Sequence, residues 1–121
     1  MTKIKNSKQY DLEERTLQFA KKVRAFVKTL PRTTGNFEDG KQLIRSSGSI
    51  GANYIEANEA ISKKDFLYRI RICRKEAKES RFWLELLDTD DTDEMEKNRS
   101  ILVIESTELM KIFGAILNKS Q

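Results

Sequence analysis

Apolar residues recur along the chain at steps of three and four between short polar stretches, and this spacing predicts four helices. The first runs from Tyr10 to Leu30, with Leu12, Phe19, Val23, Phe26, Val27 and Leu30 on one face. Glu13, Glu14, Lys21, Lys22, Arg24 and Lys28 cover the other. Pro31 ends it, because a proline pushes the residue before it out of the helical region. A loop over Arg32 to Gly35 follows. Asn36 is the expected N-cap of the second helix, with Glu38 and Asp39 suited to the positive end of its dipole.

The second helix, to about Ile61, is poor in side chains. Leu43, Ser47, Ile50, Tyr54, Ala57 and Ile61 share a face, and Ser46, Gly48, Ser49, Gly51 and Ala52 stand between them. Each glycine costs a helix about 1 kcal/mol against alanine. Close approach of neighbouring backbones is the expected offset. Ile44, Gly48, Gly51 and Ile55 form a second seam beside the first.

Ser62 is the expected N-cap of the third helix, completed by Asp65 three residues on. Phe66, Ile70, Cys73, Ala77, Ser80, Leu84 and Leu87 make its inner face. Tyr68, Ile72, Phe82, Trp83 and Leu86 form a stripe nearly opposite. An acidic turn, Asp88 to Glu94, leads to the fourth helix, Glu94 to Asn118, where Asp93 and Glu96 are the expected caps. Its main face is Met95, Leu102, Ser106, Leu109, Met110, Phe113, Ile116 and Leu117, with Ile101, Ile104, Ile112 and Ala115 beside it. One stripe per helix is buried within a bundle; a second calls for a partner. Four helices with short connections predict an all-α, antiparallel up-and-down four-helix bundle.

Composition narrows the function. At 121 residues the chain reads as one domain, with residues 1–9 expected to form a loose tail. No apolar run approaches the roughly 20 residues that span a bilayer, so a membrane partner is not expected. Lys3, Lys5 and Lys8 precede no signal-peptide core, and Cys73 is a single cysteine; both suit the cytoplasm. A net charge of +4 permits contact with nucleic acid without demanding it.

The stretch QLIRSSGSIGANYIEA, followed by SKKDF and CRKEAKESRFWLELL, resembles a bacterial four-helix-bundle family. Its founding members are encoded by intervening sequences inserted in large-subunit ribosomal RNA genes. The resemblance covers nearly the whole chain. It implies a homopentamer of up-and-down bundles around a central channel, and no settled activity. A related branch, the accessory proteins of diversity-generating retroelements, binds a reverse transcriptase and nucleic acid; this chain's modest net charge is unlike that branch.

Catalytic chemistry is sparse. There is no histidine, hence no conventional general base or histidine metal ligand. Cys73 falls on an inner face, where a buried inert thiol is expected. The glycines around Ser49 lie inside a helix with no preceding strand, unlike a phosphate loop. No cofactor or metal is expected, and the chain is read as non-enzymatic. The competing enzyme reading would rest on Arg45, Ser49, Asn53 and Glu56 with a carboxylate base such as Glu56 or Glu79.

Two constellations remain. Arg45, Ser46, Ser49, Asn53 and Glu56 form a polar arc on the second helix. It is either a recognition surface or, preferably, a hydrogen-bond network between helices or subunits, with Glu79 or Lys75 as guessed partners. The third helix segregates charge: eight basic and three acidic residues from Lys63 to Arg81, then seven acidic and none basic from Phe82 to Glu96. Arg71, Arg74, Lys78 and Arg81 share one stripe. Such a stripe is most often a solvated face; the alternative is phosphate contact, repeated around a ring. Tyr68, Phe82 and Trp83 fit either base stacking or, preferably, a subunit interface. The expectation is a homo-oligomer, pentameric by resemblance, that binds RNA or DNA weakly and without sequence preference. The alternative is a scaffold for another protein, favoured by the acidic turn.

Overall fold

The computed structural model describes residues 7–120, with side chains from residue 12 onward. Its helices are α1 (Ser7–Lys28), α2 (Thr34–Asn58), α3 (Lys63–Leu86) and α4 (Asp93–Ser120), and the described residues contain no strand. α1 therefore begins three residues before the expected start, within the stretch assigned to the tail; residues 1–6 lie outside the described residues. Neighbours in sequence are neighbours in space, and α4 returns beside α1; across the diagonal the Tyr54 and Phe113 rings meet in the core with centroids 5.7 Å apart. This is the expected up-and-down bundle.

Local chemistry explains most boundaries. The Ser62 side chain accepts from the Asp65 N–H at 3.0 Å, the cap read from the sequence. α2 is capped differently from expectation. Thr33 takes the extended conformation and accepts from the Asn36 N–H at 3.0 Å, while Asn36 lies inside the first turn. The Asn36 amide donates to the carbonyls of Pro31 (3.0 Å) and Asp88 (2.8 Å) and accepts from the Asp88 N–H (2.9 Å). It ties the α1–α2 and α3–α4 connections together. The start of α4 also departs from expectation: Thr92 accepts from the Met95 N–H at 3.3 Å, and Glu96 is held instead by Thr89 and Arg99. Asp90 and Asp91 adopt left-handed backbone at φ 59° and 55°, which aspartate tolerates better than most residues. Ile61 sits beyond the end of α2, 95% exposed, and contributes nothing to the core.

The core follows the periodicity closely. Phe19 and Val23, Leu43 and Ile50, Ile70 and Leu84, and Leu109 and Phe113 are all essentially inaccessible. Each such side chain contributes about 1.5–3 kcal/mol by leaving water. The pairing is uneven. α2 and α3 share the most extensive contact and α1 and α4 the sparsest, so the α1–α4 seam is open along grooves lined by Ile101, Ile104, Lys22 and Ala25. Arg15 bridges that seam with a two-pronged bond to Glu105 at 2.7 and 2.9 Å. That bond raises the Arg15 pKa, against the opposing effect of burial.

Candidate nucleic-acid interface

Turning about 100° per residue, α3 places Arg71, Arg74, Lys78 and Arg81 along its border with α4. The structure gathers all four into one open groove of about 650 Å³, together with Lys75 and with Lys111 of α4. Met110 and Gly114 form the floor. Arg74 lies over Gly114, its Cδ 3.8 Å from where a Cβ would stand, an ordinary van der Waals distance. Arg81 donates to the Thr107 hydroxyl at 3.4 Å. No carboxylate lines the groove. Among the described residues, none of its six cations forms an ion pair within 4 Å. From Arg71 to Arg81 the cations extend about 15 Å along the helix at 1.5 Å per residue. Sequence reasoning missed Lys111, because only the packing shows which face of α4 meets this stripe.

The polar arc of α2 points elsewhere, into α3. The Ser46 and Ser80 hydroxyls are bonded at 2.8 Å in the core. The Arg45 guanidinium stands 3.5 Å from both Glu76 and Glu79. Asn53 donates to the Ser49 hydroxyl and carbonyl at 2.9 Å, and its amide oxygen accepts from Arg69 at 2.9 Å. Glu79 is thus one of the partners guessed for this arc, while Lys75 lies in the basic groove instead. Arg69, Ser80 and the buried Glu76 were not foreseen, since they lie one and two turns apart on α3 with nothing local to mark them. Glu56 is exposed and takes no partner among the described residues.

Other reactive groups are sequestered. Cys73 is fully buried, its thiol donating to the Ile50 carbonyl at 3.4 Å. Burial pushes its pKa up to about 12. The Tyr54 hydroxyl is raised for the same reason. Among the described residues no three acidic or cysteine side chains cluster as a metal site would require, and no helix is long and apolar enough to cross a membrane.

Two apolar stripes stay in water. Tyr68, Phe82 and Leu86 of α3 are each more than half exposed, on the α2 side of the basic groove. Phe82 and Trp83 meet edge to face at 5.0 Å. Ile101 and Ile104 of α4 are 51% and 62% exposed and line the α1–α4 seam. The stripes therefore lie on different walls of the bundle, with the basic groove between them.

No curated protein matches the chain. A solved structure from Bacteroides thetaiotaomicron VPI-5482, described as a protein of unknown function from the S23 ribosomal protein family, is 34% identical. The similarity covers 92% of this chain and 98% of that one, with a TM-score of 0.78. The family model described as 23S rRNA-intervening sequence protein matches residues 8–113. With both the sequence pattern and the bundle in agreement over nearly its whole length, the chain belongs to the 23S rRNA-intervening sequence protein family.

Proposed function

We propose that this protein is a non-enzymatic homo-oligomer whose α3–α4 grooves hold the phosphate backbone of RNA or DNA, weakly and without reading sequence. The observation that carries this reading is the groove of six cations without a neutralising carboxylate. Cations left unpaired lower the cost of accepting a polyanion, because no existing ion pair has to be broken. The lining has no Asn, Gln, Asp or Glu side chain of the kind that pairs with adenine or cytosine edges, and its floor is Met110 and Gly114. Backbone contact without sequence readout is what such a lining supplies.

The two stripes support self-association in a particular form. A ring needs a head-to-tail interface, in which two different patches of one subunit meet on successive neighbours. Tyr68, Phe82 and Leu86 on one wall, and Ile101 and Ile104 on another, supply two such patches. The number five comes from the family resemblance. A sheltered thiol and carboxylates held by Arg45 support the absence of catalysis.

A salt titration of binding to structured RNA and duplex DNA tests the reading. For duplex DNA, log affinity should fall with log salt by about 0.9 per phosphate neutralised. Reversing charge at Arg74 and Lys78 should weaken binding to every sequence alike and flatten the slope. Absence of binding at about 50 mM salt, where such contacts are strongest, overturns it. The scaffold reading then stands, supported by the exposed acids of the turn, Asp88, Asp90 and Asp91, which would repel a polyanion.

A further inference from the structure

The α1–α2 wall, opposite the basic groove, carries a second groove of about 580 Å³ near its proline connection. Its surface is apolar: Val27 of α1, Leu30 and Pro31 of the connection, and Phe37 and Ile44 of α2. Phe37 is held 65% exposed, a large aromatic left mostly in water. The helices close tightly beneath, since a Cβ at Gly40 would stand 3.3 Å from Val27 Cγ1. The rim is cationic. Lys28, Arg32 and Lys41 line it and no carboxylate does. Lys28 and Arg32 have no acid within 4 Å among the described residues. Lys41 lies 4.7 Å above the Phe37 ring and 3.6 Å from Glu38, a pair exposed on both sides and so worth little. Thr33 and Thr34 bring the positive end of α2 to one lip.

We infer that this groove binds a small amphipathic monocarboxylate, its alkyl chain along Leu30, Phe37 and Ile44 and its carboxylate among Lys28, Arg32 and Lys41. The volume lies inside the roughly 300–1,000 Å³ usual for small-ligand clefts. Its three cations offer a nucleic-acid backbone less than the six of the α3–α4 groove, and a purely apolar ligand would leave the cationic rim unused. The stripes assigned above to subunit contacts lie on other walls, so the site does not depend on the nucleic-acid reading.

Calorimetric titration of the intact protein with decanoate, decanol and acetate, with amide chemical shifts to locate binding, tests this. Decanoate should bind one per chain, shifting the amides of Phe37, Gly40 and Lys41. Decanol should bind about tenfold more weakly, a difference of about 1.4 kcal/mol, and acetate not at all. Lys28→Glu with Arg32→Glu, both exposed and so compatible with folding, should cost decanoate about tenfold and leave decanol unchanged. Phe37→Ala should weaken both. Equal affinity for decanoate and decanol, shifts confined to the α1–α4 seam, or no binding at millimolar decanoate would each overturn the inference.

Discussion

Gly51 of α2 faces Thr16 of α1 so closely that a Cβ on the glycine would stand 2.9 Å from the Thr16 hydroxyl oxygen and 3.3 Å from its Cβ. The threonine cannot step aside. It is 1% exposed, its hydroxyl donates to the Leu12 carbonyl at 2.8 Å, and its branched Cβ limits rotation in a helix. The missing side chain at residue 51 is thus the contact between two helices, and it offsets the helix cost of glycine.

Gly51→Ala should destabilise the bundle by about 1–3 kcal/mol through overpacking, despite alanine's better helix propensity. Gly114→Ala should do the reverse, by up to about 1 kcal/mol, because its Cβ would meet Arg74 only at an ordinary 3.8 Å. Chemical denaturation measures both. Equal effects of the two substitutions would show that the α1–α2 crossing is looser than described.

Removing the Ser80 hydroxyl leaves the buried Ser46 hydroxyl with only the Leu43 carbonyl, at 3.3 Å, as a partner. Ser80→Ala should cost about 1–3 kcal/mol, and the double alanine variant less than the sum of the singles. A double-mutant cycle by urea unfolding returns that coupling directly. Additive effects would mean the 2.8 Å bond contributes nothing.

Arg99 gathers the end of α3. It donates to the carbonyls of Leu84 (3.1 Å), Glu85 (3.2 Å) and Leu87 (2.6 Å), and to Glu96 (2.6 Å). Its side chain is 16% exposed, and Arg99→Ala should cost on the order of 2 kcal/mol. Thermal denaturation at neutral pH checks it.

Glu96 gives that junction a pH dependence. The Thr89 hydroxyl, and then Arg99, hold its carboxyl below the usual carboxylate range. A depressed folded-state value means the contribution is complete above the unfolded value near about 4.3 and is lost as pH falls through the folded one. Glu96→Gln should therefore be less stable than the parent at neutral pH, and the gap should close on acidification. A gap that widened in acid would reverse the assignment.

Cys73 should resist thiol reagents until the protein unfolds, since its thiol is buried and its pKa raised to about 12. In the unfolded chain the thiol ionises near about pH 8.5. Stability should accordingly drop between that value and about pH 12, where the folded thiol still holds its proton. The Cys73→Ala variant should lack this alkaline component. Rapid labelling of the native protein by a disulfide reagent would contradict it.

Much of this molecule was legible in one dimension, because helix periodicity and capping are local properties. The inner faces of all four helices, the Ser62 cap and the break at Pro31 follow from residues within a turn of each other. So did the need for a close neighbour beside Gly51, though not which helix would provide it; at Gly48 the expected close approach is absent, and a Cβ would meet only the Arg24 guanidinium at an ordinary 3.6 Å. At the start of α2, Thr33 and Asn36 are both competent caps. Tertiary packing chose between them, because the Asn36 amide is needed to satisfy the Asp88 backbone across the bundle end. The same holds for the charged groups. Four cations of the α3 stripe were visible at helical spacing, but Lys111 joins them only because α4 turns that side toward α3. Arg45 was placed on a polar arc, yet its carboxylates lie more than 30 positions away, at Glu76 and Glu79. Periodicity tells which face of a helix is buried; it carries no information on which other helix lies across from each residue, and that is decided only when all four pack at once.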